Sequence, residues 1–121
     1  MKPKKNREQS TSKIKAAALH LVATKGYSNT SLEEIANTAG FTKGAVYYHF
    51  KSKKRLILEI LHDIEFRSIE LLIQELSAAD GSAKELLIRF VNFQADWAAK
   101  HPDDIGVVIM MSIGFTHLDS D

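Results

Sequence analysis

The 121-residue chain has no cysteine. Disulfide staples and thiolate metal sites are therefore excluded, packing must hold the fold, and a reducing cytoplasm suits such a chain. Proline occurs only at Pro3 and Pro102, so the whole interval between them is free of the strongest helix breaker. Long apolar runs are also missing. The most apolar stretch, Ile105 to Phe115, is about half of the ~20 residues that a membrane helix needs. The basic start runs into Gln9-Ser10-Thr11-Ser12 rather than an apolar segment, so no export signal is expected. No strand-like alternation, internal repeat or low-complexity tract is present. The expectation is an all-α protein, soluble and cytoplasmic, with no membrane partner.

Acidic residues are scarce in the first half. Met1 to Arg55 holds twelve Lys or Arg against Glu8, Glu33 and Glu34, a net +9, while the remainder carries −8. A basic half joined to an acidic half suggests that only the first half meets a polyanion. The excess survives removal of the tail: without residues 1–9 the first half is still +6.

What the chain does have is helical periodicity and glycine punctuation. Residues 1–9 read as a flexible basic arm. A first helix is expected from about Ser10 to Ser12, whose hydroxyls suit N-caps, with Ile14, Ala18, Leu21 and Val22 as its apolar stripe. Gly26 stops it. Thr30-Ser31-Leu32-Glu33 reads as a capping box, with Thr30 bonding the Glu33 amide, and opens a short helix that ends at Gly40. Thr42 caps a third short helix with Val46 and Phe50 as its buried edge. From Lys53 a long fourth helix repeats Leu56, Ile57, Ile60, Leu61, Ile64, Leu71, Leu72 and Leu76 at threes and fours. A fifth helix spans about Ser82 to Lys100, with Leu86, Leu87, Phe90, Val91, Phe93 and Trp97. Pro102 ends it, and a sixth begins near Asp103. Residues 10–55 thus form one unit of three short helices. Residues 56–121 form a partial, more acidic helical unit joined to it by the fourth helix.

Two short capped helices joined by Ala39-Gly40-Phe41 make a helix-turn-helix, whose second helix enters the DNA major groove. The residues on that helix suit the task. Lys43 sits in the first turn, where backbone amides already favour phosphate. Gly44 lets the backbone approach the groove at a helix penalty of roughly 1 kcal/mol. Ala45 suits a thymine methyl. Tyr47, Tyr48 and His49 present donors on aromatic bodies, and Thr42 is counted with them. Lys51, Lys53, Lys54 and Arg55 add four charges within reach of one strand. A helical wheel points Gly44, Ala45, Tyr48 and His49 outward and puts Lys43 and Tyr47 at the flank, which leaves open which tyrosine touches DNA.

The segments Gly26-Tyr27, Thr30 to Ala36 and Ala39 to Lys53 resemble the DNA-binding domain of TetR-family repressors, and the resemblance runs from about Ile14 to Ile60. It implies a three-helix DNA-binding domain on a helical domain for ligand binding and dimerisation. It implies a homodimer on a palindromic operator of double-stranded DNA, released by a small-molecule effector. The positions matching Lys43, Gly44, Tyr47, Tyr48, His49 and Lys53 are those such proteins use on DNA, mainly on phosphates, and Thr30 and Ser31 often add a phosphate contact. Family members usually continue well beyond this length, so the chain is expected to be truncated after its sixth helix.

Phe66, Phe90, Phe93, Trp97, Met110, Met111 and His117 are candidates to line a ligand pocket between helices. Aromatic and Met residues at helical spacing equally suit an ordinary core. The five histidines are scattered, so neither metal nor cofactor is expected. Glu33 and Glu34 diverge by about 100° on a helix, which suits capping and surface charge rather than acid–base catalysis. Two other functions compete: a module binding anionic membrane or RNA, and a small enzyme. Neither gives a reason for Gly44 between Lys43 and two tyrosines.

Overall fold

Hydroxyl side chains set most of the helix starts. The computed structural model describes the backbone of residues 3–118 and the side chains of residues 6–111. It contains α1 (Pro3–Lys25), α2 (Leu32–Ala39), α3 (Lys43–Phe50), α4 (Lys53–Ser77), α5 (Ala83–Lys100) and α6 (Pro102–Leu118). Ser31, Thr42, Ser52 and Ser82 each accept a hydrogen bond from the amide three residues on, at 3.1–3.2 Å. Each satisfies a donor that the first helical turn leaves without a partner. The expected all-α architecture is observed.

Two expectations about helix starts are corrected. α1 begins at Pro3, not near Ser10, so residues 3–9 are helical rather than a loose arm. Proline at the first helical position loses nothing, because its missing N–H would have no acceptor there. Ser10 and Thr11 lie inside the helix, where their hydroxyls donate to the carbonyls of Asn6 (2.7 Å) and Arg7 (2.9 Å). This back-bonding is the alternative to capping for the same residue types. The cap of α2 is Ser31, one residue later than expected. Thr30 is buried instead, its hydroxyl donating to Gly26 O at 2.8 Å and tying the α1–α2 turn.

The core is continuous across the expected division of the chain. Ile14, Ala18 and Val22 of α1 meet Ile35 and Ala36 of α2, Val46 and Phe50 of α3, and Leu56, Ile57, Ile60 and Ile64 of α4. Val107 and Met111 of α6 join the same cluster, because α6 folds back along α1. Small residues let the two helices approach: a Cβ added at Gly106 would lie 3.7 Å from that of Ala23. Asp104, in the first turn of α6, is buried, with the Arg67 guanidinium 3.8 Å away on α4. The positive end of the helix dipole favours a carboxylate there.

The far end of the molecule is less well covered. α5 leans on α4 through Arg89, which bonds Glu75 and Glu85 at 3.0 Å each. Glu85 and Glu75 beside this guanidinium raise its pKa above the ordinary arginine value. In the α4–α5 turn, the Asp80 carboxylate accepts the Ser82 amide at 2.9 Å, which lowers its pKa. Among the described residues of α5 only Trp97 is buried, and it stacks between Phe93 and His101. The apolar repeats of α4 and α5 are partly exposed, with Leu71, Leu87, Phe90 and Val91 open to solvent, as are Phe66 and Ile73. Their periodicity correctly marks helices, but not what covers them.

Burial on this scale sets the expected response to truncation. Ile57→Ala, in the shared core, should cost about 2–5 kcal/mol of unfolding free energy. Phe66→Ala should stay within about 0.5 kcal/mol. Urea unfolding of both variants checks this, and equal losses would contradict the placement of the core.

Candidate nucleic-acid interface

The turn between α2 and α3 is built by one glycine and one aromatic residue. Gly40 adopts φ 82°, ψ 30°, which suits a residue without Cβ. The Phe41 amide donates to Ala36 O at 2.8 Å, closing the end of α2, and Phe41 packs against the core. The turn delivers Thr42 as the cap of α3, its hydroxyl accepting the Ala45 amide. An eight-residue helix has little stability of its own, so the fully buried Val46 and the nearly buried Phe50 hold α3 in place and fix its rotation.

With that face inward, the opposite face presents the residues singled out from the sequence. Thr42, Lys43 and Gly44 are exposed, and Ala45 is half-buried. Tyr47 and Tyr48 are 57% and 68% exposed, so the flank position of Tyr47 on the wheel does not hide it. His49 is half-buried, with its Nδ1 enclosed and without a hydrogen-bond partner, and its ring meets those of Tyr48 and Phe50. Gly44 stands in open space. A Cβ added there would meet nothing closer than the Thr42 hydroxyl at 3.9 Å. Nothing inside the protein therefore requires glycine at this point.

A second group gathers at the start of α2. Residues 28–33 with Lys43 and Lys53 border a groove of about 410 Å³. Ser31 is exposed at its edge, whereas Thr30 is buried and its hydroxyl proton is already used. Lys53 is held from two sides: its ammonium donates to Tyr27 O at 2.8 Å and lies 4.0 Å from the Tyr27 ring centroid. Burial lowers its pKa from the ordinary lysine value. A partly dehydrated ammonium gives up less water on meeting an anion. The amides opening α2, the Ser31 hydroxyl and two lysines together suit a phosphate group. Glu34, the acid closest to this helix start after Glu33, is turned away into an ion pair with Lys25.

Sequence reasoning placed the cap one residue early because two overlapping patterns, Thr30 with Glu33 and Ser31 with Glu34, both read as capping boxes. It also missed the Lys53–Tyr27 tie, which joins residues 26 apart and leaves no local signal. Lys51 was read only as one charge among four. It closes α3 with φ 70°, the amide donating to Tyr47 O at 2.8 Å. A left-handed backbone costs a residue with a Cβ about 1–2 kcal/mol.

The second candidate set is not brought together in the same way. Phe66, Phe90 and Met110 are exposed, Phe93 is half-buried against Trp97, and Trp97 and Met111 are buried, Met111 in the shared core. The side chain of His117 lies outside the described residues. A groove of about 620 Å³ runs between α1, α4 and the start of α6 and includes Phe66 with Leu19, Ile60 and Arg67, but none of the other five described candidates. Among the described residues no three His, Asp or Glu side chains converge to hold a metal, and no helix is long and apolar enough to cross a membrane.

Comparison with known proteins bears on the same residues. Residues 14–60, from the first core position of α1 to the middle of α4, match the tetR family of bacterial regulatory proteins. The HTH-type transcriptional regulator AcrR of Shigella flexneri is 46% identical over 59 residues, covering 49% of this chain and 27% of that protein. YerO of Bacillus subtilis, an uncharacterized HTH-type transcriptional regulator, is 32% identical over 104 residues, covering 84% of this chain and 35% of its own length. The crystal structure of NalD, the secondary repressor of the MexAB-OprM multidrug efflux pump in Pseudomonas aeruginosa, superposes with a TM-score of 0.66 at 31% identity, covering 87% of this chain and 52% of that one. The chain thus spans between about a quarter and a half of the length of these relatives. With the helix-turn-helix in place between the caps at Ser31 and Thr42, and the core that carries it matched from Ile14 onward, the chain belongs to the TetR family of bacterial regulatory proteins.

Proposed function

We propose that this chain is the DNA-reading part of a transcription regulator, a repressor that leaves its operator when a small molecule binds. The observation that carries the reading is the outward face of α3. It presents Lys43, Tyr47 and Tyr48 around a glycine that the protein interior does not need. A helix penalty without an internal reason is expected where another molecule comes close to the backbone. In this reading Gly44 and Ala45 lie against the major groove, and Tyr47, Tyr48 and His49 meet phosphates or base edges. Thr42 and Lys43 meet a phosphate at the start of α3, and Ser31 and Lys53 hold a second one at the start of α2. Thr30 supports this second site by shaping the turn, not by direct contact. The basic first half and acidic second half set the orientation of approach.

The names of the relatives, HTH-type regulators and a repressor, support the regulatory role. Pairing of two copies on a palindromic operator and release by an effector follow from the same kinship. The exposed apolar residues of α4 and α5 offer surface for further helices, for a second copy or for an effector. The function is one of binding, without catalysis.

Two substitutions test the reading on α3. Gly44→Ala should stabilise the free protein by up to about 1 kcal/mol. The same change should weaken duplex binding about tenfold or more, because the methyl must be overpacked against DNA. Thermal melts and fluorescence anisotropy on one protein preparation read both signs, and unchanged affinity in the stabilised variant would contradict the close approach. Lys43→Ala should weaken selected and random duplexes alike and lower the slope of log K against log salt by about 0.9. Weakening confined to the selected duplex would make Lys43 a base reader, and no change on either would remove it from the interface.

A further inference from the structure

Lys51 has a positive φ, which the described chain elsewhere gives to glycine. The other described residues with positive φ are Gly26 (88°), Gly40 (82°) and Gly81 (92°). At Lys51 φ is again positive, 70°, with ψ −32° where Gly40 has 30°, but the residue carries the longest of aliphatic stems. Glycine would make the short link from α3 to Ser52, the cap of α4, with less strain. Strain of this kind persists where the side chain is needed. The side chain is exposed, and its ammonium lies 5.3 Å from the ring centroid of Tyr48 and 5.9 Å from that of Tyr47, within reach of a cation–π attraction to both. These two rings are the most exposed aromatics of α3. One ammonium thus sits at the C-terminal end of the outward face, where the helix dipole also favours a cation.

We propose that Lys51 is a positioning residue of the DNA interface. Its ammonium holds the Tyr47 and Tyr48 rings in their DNA-facing arrangement before DNA arrives and then meets a backbone phosphate. Ordering two exposed rings in advance removes part of the entropy cost of binding. The phosphate contact adds a charge-dependent component. The proposal rests on the DNA-binding reading above and extends it to a residue that neither the helix-turn-helix pattern nor burial singles out.

The test compares Lys51→Gly, Lys51→Arg and the unaltered chain. Lys51→Gly should raise the melting temperature, because the backbone strain is relieved. It should also weaken duplex binding about threefold to tenfold and lower the salt slope by about 0.9. Lys51→Arg, which keeps the charge and stacks on aromatic faces, should hold the original affinity and slope. In the free protein, NMR should show the Tyr47 and Tyr48 ring resonances moved by Lys51→Gly and less so by Lys51→Arg. A more stable Lys51→Gly with unchanged affinity and slope would overturn the proposal while leaving the DNA reading intact. If Lys51→Gly lost both stability and affinity, the role would be structural and the proposal would fail. If the unaltered chain bound no duplex at all, the reading beneath the proposal would fall, and the proposal with it.

Discussion

The outward face of α3 exists because Val46 and Phe50 are buried. A helix of eight residues is too short to persist in water on its own, and its position here is set by two side chains one turn apart against α1, α2 and α4. Once they are seated, the outward position of Gly44 and Tyr48 follows from 3.6-residue geometry, and Lys43 and Tyr47 at the flank are exposed beside them. The turns on either side of α3 serve that seating. Gly40 and Phe41 bring the chain round at the right angle, Thr42 starts the helix, and Lys51 and Ser52 end it and begin the next.

The basic first half is not a uniform cloud of charge. Lys53 is drawn in against Tyr27, Lys25 is paired with Glu34, and Lys15 bridges to Glu59 and Asp63 on α4. Paired at the surface, such charges add little to stability, but pairing leaves Lys43 and Lys51 exposed on and beside α3, with Lys54 and Arg55 exposed at the start of α4. In the proposed reading, a polyanion approaching this half meets an arranged surface, with one lysine at each end of α3 and a third beside the start of α2. The continuity of the core through Val107 and Met111 also means that α6 bears on α1, so a displacement of α6 would be felt by the unit that carries α3.

Much of this was legible in the sequence, for identifiable reasons. Six helices follow from apolar periodicity and from glycine, proline and hydroxyl punctuation. The inward pair Val46 and Phe50 follows from their spacing. What was not legible depends on choices that local sequence leaves degenerate. Ser10 and Thr11 can cap a helix or bond back inside one, and Pro3 settled the matter by starting the helix earlier. Thr30 and Ser31 both precede a glutamate by three residues, and the tie to Gly26 decided between them. The return of α6 onto α1 and the contact of Lys53 with Tyr27 join distant segments, so no local pattern announces them. The positive φ at Lys51 was invisible because nothing in a lysine signals it. The stripes of α4 and α5 were read correctly as helical, but periodicity does not tell which of their residues are covered.

The most direct measurement of the central claim is selection of duplexes by the purified chain from a random DNA pool, sequenced at two salt concentrations. The expected result is enrichment of a defined sequence, with retention that falls steeply as salt rises, because phosphate contacts supply affinity and the α3 face supplies discrimination. Salt-sensitive retention with no enriched sequence would contradict it, leaving a basic surface that holds polyanions without reading them.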